Sequence, residues 1–135
     1  MDQGLTIKEV AHITGLSEHT LRYYERIGLL DAIERASNGH RRYSERDVAW
    51  IEFLNRLRLT GMPIRHMQEF ADYRRQGDPT IRQRRCLLEA HEQALVQQIA
   101  ALERHLTAIR DKIQHYNLIF VQHYKTMEIT ENANE

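Results

Sequence analysis

Ser17-Glu18-His19-Thr20-Leu21-Arg22-Tyr23-Tyr24-Glu25-Arg26-Ile27-Gly28 is the stretch on which the reading of this chain turns. Ser17 is placed to cap a helix, because its hydroxyl oxygen can accept one of the orphan N–H groups of the first turn. Leu21, Tyr24 and Ile27 recur on one helical stripe, and Gly28 supplies the C-terminal stop. Just upstream, Thr6-Ile7-Lys8-Glu9 spells a capping box. Val10, Ala11 and Ile13 give that earlier helix an apolar side, and Gly15 ends it. Two short helices across a tight glycine turn form a helix-turn-helix pattern.

Downstream, Leu29 to Tyr43 has no helical period and contains Ser37-Asn38-Gly39. Asn-Gly is a strong hairpin signal, so two short strands and a β-wing are expected there. Ser44 caps a third helix with Asp47 in its first turn. Val48, Ile51, Leu54 and Leu57 face one way, and Trp50 and Phe53 widen the stripe, which predicts the centre of the core. Thr60-Gly61-Met62-Pro63 breaks that helix, and Ile64, Met67, Phe70 and Ala71 mark a fourth. Residues 5–75 therefore read as one small head.

Gly77-Asp78-Pro79 is a linker that doubles as a helix start, with Asp78 at the cap and Pro79 at the first helical position. Apolar residues then fall at Leu88, Leu95, Ile99, Leu102, Leu106, Ile109, Ile113 and Tyr116, with no Gly or Pro between. From Leu95 the steps alternate four and three, the a/d seam of a coiled coil. A helix from the linker to Tyr116 is roughly 55 Å long and overhangs a small head, so a second copy is expected along its seam. Residues 79–124 read as this dimerisation helix with a short effector region, and 125–135 as a disordered tail.

Charge alone does not announce a partner. The 135 residues carry 19 basic and 19 acidic side chains, and the first 77 carry 12 and 11. Local placement is more telling: four arginines and His40 lie between Arg35 and Arg46 against one acid, Glu45. The single cysteine, Cys86, cannot form an internal disulfide and fits a reducing cytoplasm. Met1-Asp2-Gln3-Gly4 does not begin a signal peptide, and no apolar run reaches the roughly 20 residues of a membrane span. A cytoplasmic protein with no membrane partner is the expectation. No phosphate loop, nucleophile elbow or paired-acid motif points to an enzyme. Eight histidines show no close ligand spacing, so neither metal nor other cofactor is expected.

Thr20-Leu21-Arg22-Tyr23-Tyr24-Glu25-Arg26-Ile27-Gly28-Leu29-Leu30, followed by Arg35 and Asn38-Gly39-His40-Arg41-Arg42-Tyr43, resembles the MerR family of bacterial regulators. That family's head reads TLRYYExxGLL…R…NGYRRY. The resemblance covers about residues 5–116 and includes the Leu57-Arg58-Leu59-Thr60-Gly61-Met62 end of helix three. It departs at His40, where the family usually has tyrosine, and at Asp31-Ala32-Ile33, where a proline commonly follows GLL. The fold expected is mainly α: a winged helix-turn-helix head with a small β-wing, plus a long antiparallel coiled-coil helix.

Residue chemistry fits the same use. A recognition helix presents its N-terminal side chains to base edges in the major groove, here Ser17, Glu18, His19 and Thr20. Arg22 can pair a phosphate or a guanine. Tyr23 or Tyr24 can donate to a phosphate, and Tyr24 and Tyr43 can equally be core aromatics. In the wing, Arg35, Arg41 and Arg42 would grip the backbone, which positions the protein without reading sequence. The resemblance implies corresponding DNA-binding roles for Asn38, His40 and Tyr43.

The resemblance further implies a homodimer on a palindromic promoter operator. It would bend and underwind the duplex so that RNA polymerase can engage promoter elements, with a small effector controlling the change. Energy from phosphate grips would be spent on deforming the middle of the site. Metal-responsive members use two or more cysteines near the ends of the dimerisation helix, and this chain has only Cys86. The aldehyde- and electrophile-responsive branch is closest in look, but Arg56 and Leu57 occupy the region of its helix-three cysteine. Arg82, Arg84 and Arg85 near Cys86 can lower its thiol pKa, or Cys86 is simply a small packed residue. Any small effector is expected near Cys86, Tyr116, Phe120 and the partner's fourth helix. An alternative is an architectural or recombination accessory DNA-binding protein, a class that usually lacks the long coiled coil.

Overall fold

The computed structural model describes residues 4–133 except 32, 34, 36, 38, 40 and 41. The described chain is mainly helical. α1 (Ile7–Thr14) starts at a complete capping box: Glu9 N–H donates to Thr6 Oγ1 at 3.1 Å, and Thr6 N–H donates to the Glu9 carboxylate at 3.2 Å. It ends at Gly15, whose φ of +74° is left-handed backbone that a side chain would strain. α2 (Glu18–Arg26) starts at Ser17, whose hydroxyl accepts from Thr20 N–H at 3.0 Å. Gly28 turns the chain so that the N–H groups of Leu29 and Leu30 both reach the Tyr24 carbonyl.

α3 (Glu45–Leu59) carries a second capping box between Ser44 and Asp47. It buries Trp50, Ile51, Leu54 and Leu57, as the apolar stripe predicts. Val10, Leu21, Tyr24, Leu29 and Met67 close around them. Trp50 is held by its polar edge as well, with Nε1–H donating to the Leu29 carbonyl at 2.8 Å. Its ring stacks on Phe70 at 5.7 Å, and the Arg74 guanidinium lies 4.3 Å from the ring centre. Such contacts add to area burial because the ring face is electron-rich.

The segment expected to form the β-wing falls only in part among the described residues. Among the described residues there is no strand, and one antiparallel bridge pairs Leu5 with Tyr43 through two 2.8 Å hydrogen bonds. Asn38, His40 and Arg41, and with them the expected hairpin turn, lie outside the described residues.

α4 (Ile64–Gln76) buries Met67, Phe70 and Ala71. The linker differs from expectation. Asp78 makes no side-chain cap; Gly77 takes that place for a short 3₁₀ turn (Asp78–Thr80) that leads into α5 (Ile81–Ala133). Buried Thr80 organises the turn by donating to the carbonyls of Tyr73 and Gly77.

The chain divides into two compact units, residues 1–92 and 93–135. The first takes in the beginning of α5 because Leu87 and Leu88 pack against the head's core. Leu88, assigned above to the dimerisation seam, therefore spends apolar surface within its own head. Among the described residues the second unit is helix alone, and α5 runs through 125–133, where the sequence suggests a disordered tail. That stretch is polar but contains no Gly or Pro, and polarity removes a buried face without removing helix propensity. Thr126 and Thr130 return their hydroxyl protons to the carbonyls of Gln122 and Thr126.

Candidate nucleic-acid interface

The first turn of α2 presents Ser17, Glu18, His19 and Thr20. Ser17 Oγ donates to Thr20 Oγ1 at 2.9 Å while it caps Thr20 N–H, so these two hydroxyls are engaged with each other. His19 is exposed. One turn on, Arg22 is half exposed and meets Glu18 at 3.4 Å, an i,i+4 pair weak enough to open for a stronger anion. Glu18 thus sheathes the arginine.

The two tyrosines part company. Tyr23 is exposed, with the Arg26 guanidinium 5.5 Å from its ring centre. Tyr24 is 2% exposed, and its hydroxyl is buried with no hydrogen-bond partner among the described residues. Burial pushes that hydroxyl above the ordinary tyrosine range, against a smaller downward pull from Arg58 and a further upward one from Tyr23. Tyr43 is fully buried. Of the alternatives left open by sequence, both Tyr24 and Tyr43 keep their rings in the core.

Arg35 is exposed, and its Nη1 donates to the Gly39 carbonyl at 2.9 Å, closing the loop on itself. Arg42 is half-buried where the chain crosses Gly4 closely: a Cβ on Gly4 would stand 2.7 Å from Arg42 Cβ. The fold also brings up cations that sequence reading missed. Arg58, at the end of α3, is near enough for its charge to act on Tyr24 of α2. Arg26 covers the Tyr23 ring. Nothing in the sequence pattern joins Arg58 to a helix more than thirty residues earlier; only packing does. By contrast, Arg75 is spent on Asp31 at 2.6 Å and Asp72 at 2.7 Å, which keeps it within the head.

The proposed effector residues are not gathered in one unit. Cys86 is exposed in the first, at a cleft of about 370 Å³ with Tyr73 and Leu87. Tyr116 and Phe120 are exposed in the second, where Phe120 stacks on Tyr124 at 6.5 Å. Among the described residues no group of His, Cys, Asp or Glu is arranged to hold a metal ion, and no helix is long and apolar enough to cross a membrane.

Residues 5–74 match the family described as MerR HTH family regulatory protein. An uncharacterized HTH-type transcriptional regulator of Haemophilus influenzae is 35% identical over 111 residues, 82% of each chain. The HTH-type transcriptional regulator AdhR of Bacillus subtilis is 38% identical over 93 residues, 69% of this chain and 66% of its own. In the crystal structure of HiNmlR, a MerR family regulator lacking the sensor domain and bound to promoter DNA, the likeness has a TM-score of 0.78 at 34% identity. It covers 85% of this chain and 91% of that one. A MerR family chain from Listeria monocytogenes gives a TM-score of 0.89 at 29% identity over 97% of this chain and 99% of its own. Relatives of this kind are regulators rather than enzymes. With its capped helix-turn-helix, its arginine-bearing α2 and a family match over half its length, this chain belongs to the MerR family of DNA-binding transcriptional regulators.

Proposed function

We propose that this protein binds a palindromic promoter operator as a homodimer and distorts the duplex to control access by RNA polymerase. The observation that carries the reading is the exposed edge of α2. His19, Arg22 and Tyr23 stand there on a helix whose other face is locked into the core by Leu21 and Tyr24. A promoter-bound relative of 34% identity supports the same use of this head. In this reading His19 and Thr20 face base edges, and Ser17 fixes the start of the helix. Arg22 grips a phosphate or a guanine, and Tyr23 donates to a phosphate. Arg35, Arg42 and Arg58 hold the flanking backbone, together with Asn38, His40 and Arg41 of the wing. Tyr24 and Tyr43 keep the grips in place from within.

The seam of α5 supports the dimer. Ile99, Leu102, Leu106, Ile109 and Ile113 are all exposed in the single chain, and an apolar row of that length in water favours pairing. Leu95 belongs to the same row, and an antiparallel pairing puts one head at each end. A small effector controls the change. An architectural or recombination accessory role is the less favoured reading, because such a protein has no need of the long α5.

The test is a titration of promoter fragments with Arg22→Ala over a range of salt. Operator affinity is expected to fall about tenfold, with one unit lost from the salt slope if Arg22 meets phosphate. An unchanged slope with relaxed preference at one base pair would assign it to guanine. Equal affinity of variant and parent at every salt refutes the interface.

A further inference from the structure

At the end of α3, Thr60 points its hydroxyl at the Arg56 and Leu57 carbonyls, 2.8 and 3.2 Å away. The same oxygen lies 2.7 Å from Nε2 of His91 on α5. Both residues are half-buried. A threonine hydroxyl has one proton. With that proton directed at a backbone carbonyl, the oxygen accepts from His91, so His91 carries its proton on Nε2. Neutral Nε2–H imidazole and imidazolium both satisfy this.

The place of this bond gives it meaning. Leu87 and Leu88 press the start of α5 onto the core through apolar contact, which is non-directional and tolerates sliding and rotation. A hydrogen bond prefers a narrow range of distance and angle, so the His91–Thr60 pair fixes the rotation of the first turns of α5 against the head. On its other side, Thr60 closes the turn that carries Arg58, whose carbonyl accepts from Gly61 N–H at 3.1 Å. Arg58 in turn acts on Tyr24 of α2. A run of hydrogen bonds thus leads from His91 at the start of α5 through Thr60 to the last turn of α3, where the charge of Arg58 reaches Tyr24 through space.

We propose that His91 and Thr60 are positioning residues that couple α5 to the DNA-facing surface, so that the setting of the dimerisation helix is passed through the last turn of α3 to Arg58 and α2. This rests on the operator reading above and adds the route by which the helix speaks to the head.

The test uses the full chain with His91→Ala, His91→Gln, Thr60→Val and the double variant His91→Ala/Thr60→Val. Operator affinity is measured by fluorescence, and duplex distortion by energy transfer between labelled DNA ends. His91→Ala and Thr60→Val are each expected to weaken the distorted complex about two- to tenfold. The double variant should be no worse than the weaker single, since both remove one bond. His91→Gln, whose amide nitrogen can reach the place of Nε2, should stay within about twofold of the parent. Additive losses, equal damage from Gln and Ala, or parental behaviour of His91→Ala overturns the proposal. Imidazole ¹⁵N shifts of the free parent give a check without DNA and without any variant: an Nδ1–H tautomer at His91 also overturns it. A parent that binds no duplex at all, while His91 shows the Nε2–H tautomer, would instead count against the operator reading.

Discussion

Tyr23 and Tyr24 are adjacent in the chain and opposite in circumstance, and the difference is testable. The Tyr24 hydroxyl lacks a partner among the described residues, and an unsatisfied buried hydroxyl costs about 1–3 kcal/mol. Tyr24→Phe should therefore leave stability unchanged or raise it by about 1 kcal/mol, with operator affinity preserved. Tyr23→Phe should lower affinity severalfold and leave the melting temperature alone. Loss of affinity in Tyr24→Phe with none in Tyr23→Phe would reverse the assignment. The pH dependence has a definite sign. Burial raises the Tyr24 pKa in the folded state, so the folded chain holds that proton more tightly than the unfolded one. The associated stability is present below the unfolded tyrosine value of about 10 and is lost as pH rises through the folded value. Tyr24→Phe should flatten the alkaline limb of a stability-against-pH curve, and an identical limb would show that Tyr24 does not titrate with unfolding. The sequence marked both tyrosines as candidates because helical spacing alone left Tyr24 two roles. Tyr24 shares the 21–24–27 stripe, and burial on that stripe is what separates the pair.

At the scale of elements, capping chemistry was the most legible signal. Thr6, Ser17 and Ser44 each make the bond their position calls for. The reason is local: a cap needs only a side chain and the N–H three residues on. Ser44→Ala is expected to cost about 1 kcal/mol, read as a lowered denaturant midpoint with unchanged slope; no shift would mean that core packing alone holds the start of α3. Less legible were the elements whose fate depends on distant surfaces. The Gly77-Asp78-Pro79 linker was read with Asp78 as the cap, yet Thr80 does the organising by reaching back to Tyr73 on α4. Leu88 fits the spacing of the apolar series on α5 but lies against the head core. The same heptad arithmetic describes a residue facing a second helix and one facing its own head, since both need only an apolar side chain.

For the whole molecule, the exposed row on α5 carries the prediction. Leu102 is 67% exposed in the single chain, an unfavourable state for a leucine whose seam neighbours Ile99 and Leu106 are exposed as well. Leu102→Asp together with Leu106→Asp should yield monomers with an intact head and with operator affinity reduced by orders of magnitude, because two linked grips become one. Sedimentation that still reports a dimer would move the interface elsewhere. The residues proposed above for an effector are spread along the chain. Cys86 lies in one compact unit while Tyr116 and Phe120 lie in the other.

Read by itself, the sequence determined the starts, stops and apolar stripes of α1 to α4, the family, and with it DNA binding. Each of these is written in residues a few positions apart, where backbone geometry makes spacing equivalent to placement. Tertiary structure decided the rest: which tyrosine is buried, which arginine is spent on an aspartate, that the charge of Arg58 reaches Tyr24, and that His91 meets Thr60. Those outcomes depend on which surfaces are pressed together across thirty or more residues, and burial and directional bonding across that separation have no period in the sequence from which to read them.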